Sequence, residues 1–389
     1  MSGIEVSFVM PCLDEAETLA SCIEEAERCI RDHDLAAEII VADNGSTDGS
    51  QAIAEAAGAR VVHVAQRGYG AASIAGLGAA RGRYLVMGDA DRSYDFREAF
   101  PMIERLRDGA DVVMGSRFRG RIEAGAMPWS HRIIGNPILS RVGRILFRSE
   151  TTDFHCGLRS LTKDAYQRMG LRTTGMEFAT ELVVKATALG MRIDEVPVTL
   201  RPDGRSRPPH LRPWRDGWRH LRFMMVLSPR WTLFLPGLLL LLVAGSVLAR
   251  LSVGPWDVGV AILDIHTMQL ASLVTIVGYQ AITTAVAARI FAVAEDIGPP
   301  ARWMRRAFRL FTLERGLLAG LALVLLGAGF VGSAIRAWAE TDFGPLVPAV
   351  TMRPVLMGAT LVALGVQTLL MSFLYSMLGI TRRREGPEA

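Results

Sequence analysis

The chain has 389 residues, half of them hydrophobic, which is enough for two or three domains. Its formal net charge of +4 is modest and lies largely beside apolar stretches, which argues for anionic headgroups or phosphates and against nucleic acid. Cys12, Cys22, Cys29 and Cys156 fit no metal-ligand spacing and read as buried free thiols in a reducing compartment.

From the N-terminus, strand-like and helix-like patterns alternate. Ile4–Met10 is an apolar strand closed by Pro11, Ala16–Arg31 has helical spacing, and Glu38–Ala42 is a second strand. A helix at Gly49–Gly58, a strand at Arg60–Val64, a helix at Ala71–Arg81 and strands at Tyr84–Met87 and Asp111–Met114 follow. This order predicts an α/β fold, a mainly parallel sheet with helices on both faces, whose ligands sit beyond the carboxyl ends of the strands. Polar clusters fall there: "PCLDEAET" after strand one, "DNGSTDGS" after strand two and "GDADRSYD" after strand four.

In the last of these, Asp89 and Asp91 stand one residue apart at a strand end. Such a pair alone can be a polar cap, but neighbouring negative charges call for a cation or a shared proton. Three acidic clusters on one sheet edge suit Mg²⁺ or Mn²⁺, held by one or two carboxylates and completed by substrate phosphates. In the second cluster Ser46 or Thr47 could cap a helix, whereas Asp43 and Asn44 could take the N–H edge of a nucleobase. "RGYGAASIAG" is no dinucleotide fingerprint, because it reads G-x-G-x-x-S and follows the third strand.

Two segments look interfacial. "HRIIGNPILSRVGRILFR" puts Ile134, Ile138, Val142 and Ile145 on one helical face with Arg132, Arg141, Arg144 and Arg148 flanking it, although a soluble amphipathic helix has the same pattern. "RPWRDGWRHLRFMMVLSPRW" sets three tryptophans among arginines just before the first long apolar run.

Four uncharged or nearly uncharged stretches follow, Trp231–Ala249, Thr267–Ala288, Gly316–Ile335 and Pro354–Thr381, each close to the ~20 residues that cross a bilayer. The N-terminus lacks a basic region followed by an apolar core, so residues 1–215 are expected on the side of synthesis. Arg289, Arg302, Arg305, Arg306, Arg309 and Arg315 between spans two and three, with Arg382–Arg384 in the tail, put both termini in the cytoplasm of a multi-pass inner-membrane protein. Spans two and four share G-x-Q at Gly278/Gln280 and Gly365/Gln367, and "PGLLLLLVAG" resembles "AGLALVLLGAG". A duplication into two hairpins would explain this, with each glutamine facing helix rather than lipid. The expected domains are 1–215, a juxtamembrane helix 216–230, four spans over 231–381 and a basic tail 382–389.

Nine segments together resemble the inverting family 2 glycosyltransferases of GT-A fold, specifically the polyprenyl-phosphate hexose synthases. They are "VMPCLDEAETL", "VADNGSTDGS", "GYGAA", "GDADRSYD", "GSRF", "TTDFHCGLRS", "MEFATELVVKA", "EVPVTLRPDGRS" and "RDGWRHLRF", over about residues 5–230. The resemblance implies transfer of a hexose, glucose favoured, from a nucleotide sugar, UDP-glucose favoured, to polyprenyl phosphate at the bilayer. It places Pro11, Glu15 and Asp43 at the nucleotide, Asp89 and Asp91 at metal and diphosphate, and Arg117 at phosphate. Asp153, Glu177 and Glu181 would line the sugar and acceptor side, Arg132 would help hold the acceptor phosphate, and Arg205 and Ser206 would close over the substrate. Asp14 stands where the family often has Asn, and Asn44 where it often has Asp, so base recognition can differ. A processive polysaccharide synthase is the alternative enzyme, but its Q-x-x-R-W element meets Leu227 in "LSPRW". A non-catalytic scaffold or flippase subunit is the alternative outside enzymes, and self-association is left open.

Overall fold

The structure, a computed structural model, describes residues 3–206, 213–294 and 312–378. Arg302, Arg305, Arg306, Arg309 and the tail 382–389 lie outside them. The chain divides into two compact units, Met1–Leu227 and Ser228–Ala389.

The first unit is built on a 7-stranded sheet in the order β3-β2-β1-β4-β6-β5-β7. The strands are β1 (Val6–Cys12), β2 (Ala37–Asp43), β3 (Arg60–His63), β4 (Tyr84–Met87), β5 (Val112–Ile122), β6 (Arg159–Thr162) and β7 (Ile193–Leu200). Only β6 runs against its neighbours; the other pairings are parallel. Helices α1 (Leu19–Asp32), α2 (Ser50–Ala56), α3 (Tyr69–Ala79), α4 (Phe100–Arg107), α5 (Asn136–Phe147), α6 (Lys163–Met169), α7 (Phe178–Ala188) and α8 (Pro213–Val226) complete the unit.

The central strands are apolar runs because both of their faces are covered. Phe8, Met10 and Val86 pack with Leu19, Ile23, Met102 and Ile103 of α1 and α4. Val9, Leu85 and Met87 point the other way, onto Leu77 of α3 and Leu182 and Val183 of α7. The four cysteines are buried free thiols.

Pro11 does not close β1. The ladder with β4 ends at Val9↔Met87, but pairing with β2 continues through Pro11↔Ala42 to Cys12↔Asp43. Pro11 is thus beyond the reach of β4, where its missing N–H costs the sheet little. Nor do Ser46 or Thr47 cap α2. Asp48 does so in effect, its Oδ1 accepting from the Ser50 N–H at 3.0 Å. Ser46 and Thr47 instead join the loop to the Asp14 segment.

The second unit has four helices long and apolar enough to cross a membrane. They are α9 (Leu235–Val253), preceded by a π-turn from Arg230, α10 (Ile265–Ala294), α11 (Leu313–Ala339) and α12 (Pro348–Leu378). A two-strand ribbon, Trp256–Asp257 with Ile262–Leu263, links the first two. The last helix begins before the expected Pro354 because Arg353 is neutralised inside the unit, by Asp264 and by the carbonyls of Leu251 and Ala349.

The repeated glycines do equivalent work. A Cβ on Gly278 would lie 2.8 Å from the Gly237 carbonyl oxygen, and one on Gly365 2.7 Å from that of Gly320. Each brings one hairpin's backbones together. Helices α10 and α12 meet through Ser272–Thr360 and Tyr279–Thr368 hydroxyl bonds, both 2.6 Å, at separations of 88 and 89 residues. That near-constant offset makes them parallel and in register. The glutamines depart from expectation. Gln367 buries its Oε1, but Gln280 is exposed on the outside of α10.

Candidate active site

The acid pair lies just past the carboxyl end of β4, in the centre of the sheet. Asp91 accepts from the Ser93 N–H at 2.9 Å, fixing the turn in which Arg92 adopts a φ of 67°. Asp89 accepts a 3.0 Å bond from the Tyr69 hydroxyl, delivered by the first turn of α3. Burial first, and then the Asp91 charge, push the Asp89 carboxyl up to about 6. Its Oδ2 lies where a Cβ on residue 157 would be, 2.2 Å away, so Gly157 is the residue that leaves it room. Tyr94 holds that glycine by accepting its N–H at 2.9 Å.

Arg205 enters from the segment after β7. Its Nη1 donates to Glu15 Oε1 at 3.0 Å and its Nη2 to Asp91 Oδ2 at 2.8 Å. A cation therefore bridges the polar segment after β1 to the acid pair after β4. Ser206 docks beside it, donating from N and Oγ to the Glu17 carboxylate. Asp203 and the Gly204 N–H, which bonds to the Asp91 carbonyl at 3.0 Å, set the approach of this segment.

Other expected residues are engaged in holding the structure. Asn44 donates to the carbonyls of Val64 and Gln66 and accepts from the Gly68 N–H, so it clamps the loop from β3 to α3. Asp43 takes the Gly45 and Ser46 N–H groups and the Gln51 amide. Arg117 and Asp153 form a bidentate pair at 2.7 and 2.7 Å, with Asp153 fully buried. Glu181 bonds to Lys185 and to Thr173, whose donors hold its carboxyl below the usual range despite burial. Glu177 differs from it, since its Oε2 is buried without a hydrogen-bond partner.

Arg132 is exposed on the turn before α5, beside exposed Ile133, Ile134, Ile138 and Ile145. Val142 leaves the expected outer face and packs against the inner cluster instead. Three residues with positioning roles carried no sequence signal beyond their place in a quoted segment. They are Tyr69, Gly157 and Arg159, the last fully buried and capping the carbonyls of Phe154, Cys156 and Ala179.

Among the described residues no three His, Cys, Asp or Glu side chains gather as a metal cage. The donor set nevertheless fits a hard divalent cation that finds its other ligands in substrate and water. Asp89 is half-buried, ionises with difficulty through desolvation beside Asp91, and has only a neutral hydroxyl as donor to Oδ1.

Residues 7–170 match glycosyl transferase family 2, and residues 286–379 match the glycosyltransferase family 2 C-terminal transmembrane region. The low-salt glycan biosynthesis hexosyltransferase Agl6 of Haloferax volcanii is 34% identical over 377 residues, 96% of this chain and 89% of that protein. The chain is a family 2 glycosyltransferase. A dolichyl-phosphate hexose transferase of the same organism is 28% identical over 198 residues, covering 51% of this chain and 83% of its own. The solved glucosyl-3-phosphoglycerate synthase of Mycobacterium tuberculosis, with Mn²⁺ and UDP, is 22% identical at a TM-score of 0.45, over 57% of this chain and 77% of that one. This family 2 glycosyltransferase is thus an inverting, hexose-transferring membrane enzyme, and its mixed sheet is the GT-A arrangement.

Proposed function

We propose that the enzyme transfers glucose from UDP-glucose to a polyprenyl phosphate, with inversion, giving a polyprenyl-monophosphate hexose. The observation that carries the acceptor reading is the state of Asp153. A hydroxyl acceptor needs a general base within reach of its proton. Asp153 is fully buried and spends both oxygens on Arg117, so it is no such base. A phosphate monoester needs none, because its second pKa near ~6 leaves it mostly a dianion at pH 7.

On this reading Asp89 and Asp91 hold Mg²⁺ or Mn²⁺, which when bound stabilises charge on the leaving diphosphate. Tyr69 and Gly157 fix the orientation of Asp89, and Arg205 offers a guanidinium to the donor phosphates from its position between Glu15 and Asp91. The protein's work is then alignment for in-line attack and electrostatic support of the departing group. The exposed isoleucines and arginines of α5 suit a membrane interface where a lipid phosphate resides. The name of the relative that acts on dolichyl phosphate supports the same acceptor class. Both termini are assigned to the cytoplasm, with the first unit as catalytic domain.

The test is to incubate membranes containing the enzyme with labelled UDP-glucose, UDP-galactose or GDP-mannose and to extract the lipid. The expected product is an alkali-stable, mild-acid-labile lipid monophosphate glucose that depends on added polyprenyl phosphate. Label in polymer, or none in any lipid, would overturn the assignment.

A further inference from the structure

The outward face of α10 contains a feature that catalysis leaves unused. Leu270, Leu273, Val277, Gln280 and Thr284 are all exposed and succeed one another at steps of three and four residues. That alternation is the seam of two helices packed side by side with a left-handed crossing. Four of the five positions suit lipid as well as they suit protein. Gln280 does not.

Gln280 lies at the middle of the 30-residue helix, so ~20 Å of helix separates it from either end. A glutamine side chain is too short to bring its amide to the headgroups from that depth. The exposed serines of the other spans escape this difficulty, because Ser246 and Ser333 return their hydroxyls to carbonyls of their own helices, both at 2.7 Å. The Gln280 side-chain amide has no such partner among the described residues; Thr283 donates to the backbone carbonyl of Gln280, not to its amide. An unpaired amide in hydrocarbon costs several kcal/mol.

We infer that Gln280 is satisfied by Gln280 of a second copy of this chain, in a homodimer whose two α10 helices pack in parallel. A primary amide carries both donors and an acceptor, so two of them pair reciprocally across a two-fold axis. Copies inserted in one membrane share orientation, so each presents its Gln280 to the other at the same depth. Leu273 and Val277 on one side and Thr284 on the other then meet their own counterparts along the seam. A single polar position in an otherwise apolar seam also fixes register. This inference stands apart from the donor and acceptor assignments.

The experiment uses the full-length protein in lipid bilayers. Single cysteines are introduced at Val277 and, as a control, at Leu321, which is exposed on α11. Oxidative cross-linking should give a band of twice the chain mass from Val277→Cys and none from Leu321→Cys. Gln280→Leu, which suits hydrocarbon and leaves each chain folded, should weaken dimerisation about tenfold in dilution measurements by single-molecule photobleaching. Gln280→Asn should retain part of the effect. Absence of the Val277→Cys band, equal bands from both positions, cross-linking to a different protein, or an unchanged equilibrium in Gln280→Leu would each overturn the inference.

Discussion

The Arg117–Asp153 pair sets up a test that separates holding the fold from doing chemistry. Both partners are buried, with side-chain exposures of 8% and 0%, and Asp153 also accepts the Arg117 and His155 backbone N–H groups. Asp153→Asn keeps the shape but leaves a guanidinium without its counter-charge in a site closed to water. Breaking one side of such a pair costs about 3–5 kcal/mol. For a unit the size of Met1–Leu227 each kcal/mol moves the melting temperature by about 2–4 °C, so a drop of roughly 6–20 °C is expected. The double exchange Arg117→Met with Asp153→Leu removes both charges, and should recover most of that loss. Thermal unfolding of the full-length protein in detergent, followed by far-UV circular dichroism, reads both variants. A melting temperature within about 2 °C of wild type for Asp153→Asn would show that the pair does not hold the strand end, and Asp153 would return as a candidate base.

Asp91→Asn should abolish transfer and weaken Mn²⁺-dependent UDP-glucose binding; normal affinity by calorimetry would remove Asp91 from the metal site. His155 has both ring nitrogens buried and unpartnered, and burial, followed by His220, Arg117 and Arg159, holds its pKa well below the usual 6.5. A base depressed in the fold adds stability above pH 6.5 that is lost as pH falls toward the folded pKa. Wild type should therefore lose stability below pH 6.5 more steeply than His155→Gln, and parallel melting curves from pH 8 to pH 5 would refute this. The acid limb of the pH–rate profile should follow ionisation of the acceptor, so a phosphonate acceptor of higher second pKa should move the limb upward. An unmoved limb would point to an enzyme carboxylate.

The sheet was legible because each central strand is an apolar run ended by polar residues, a pattern that burial on both faces imposes. The four spans were legible from length and composition alone. What stayed hidden depended on contacts distant in sequence. The sequence offers Asn44 as a reader of a nucleobase edge, but the partners it holds lie 20 to 24 residues further on. Arg117 and Asp153 each looked catalytic, and their 36-residue separation gave no hint that they bind one another. Gly157 has meaning only once Asp89 is folded against it. Helical period alone puts Val142 on the outer face, yet that period says nothing of how far the inner cluster wraps around α5.

The acids at the sheet edge then divide by what neutralises them. Glu15 and Asp91 share the Arg205 guanidinium, and Asp153 has Arg117. Asp89 has a tyrosine hydroxyl, and Arg159 and Arg205 act on it only through space. A neutral donor satisfies one oxygen but cannot offset a partly desolvated charge beside another carboxylate. Arg205 cannot serve both acids closely while it bridges Glu15 and Asp91. Within the described residues no cation bonds Asp89 directly, so a counter-charge for it has to come from outside the chain. On the proposed reading Asp89 and Asp91 would hold a divalent cation that supplies this charge, and donor phosphates would give Arg205 an alternative partner to Asp91.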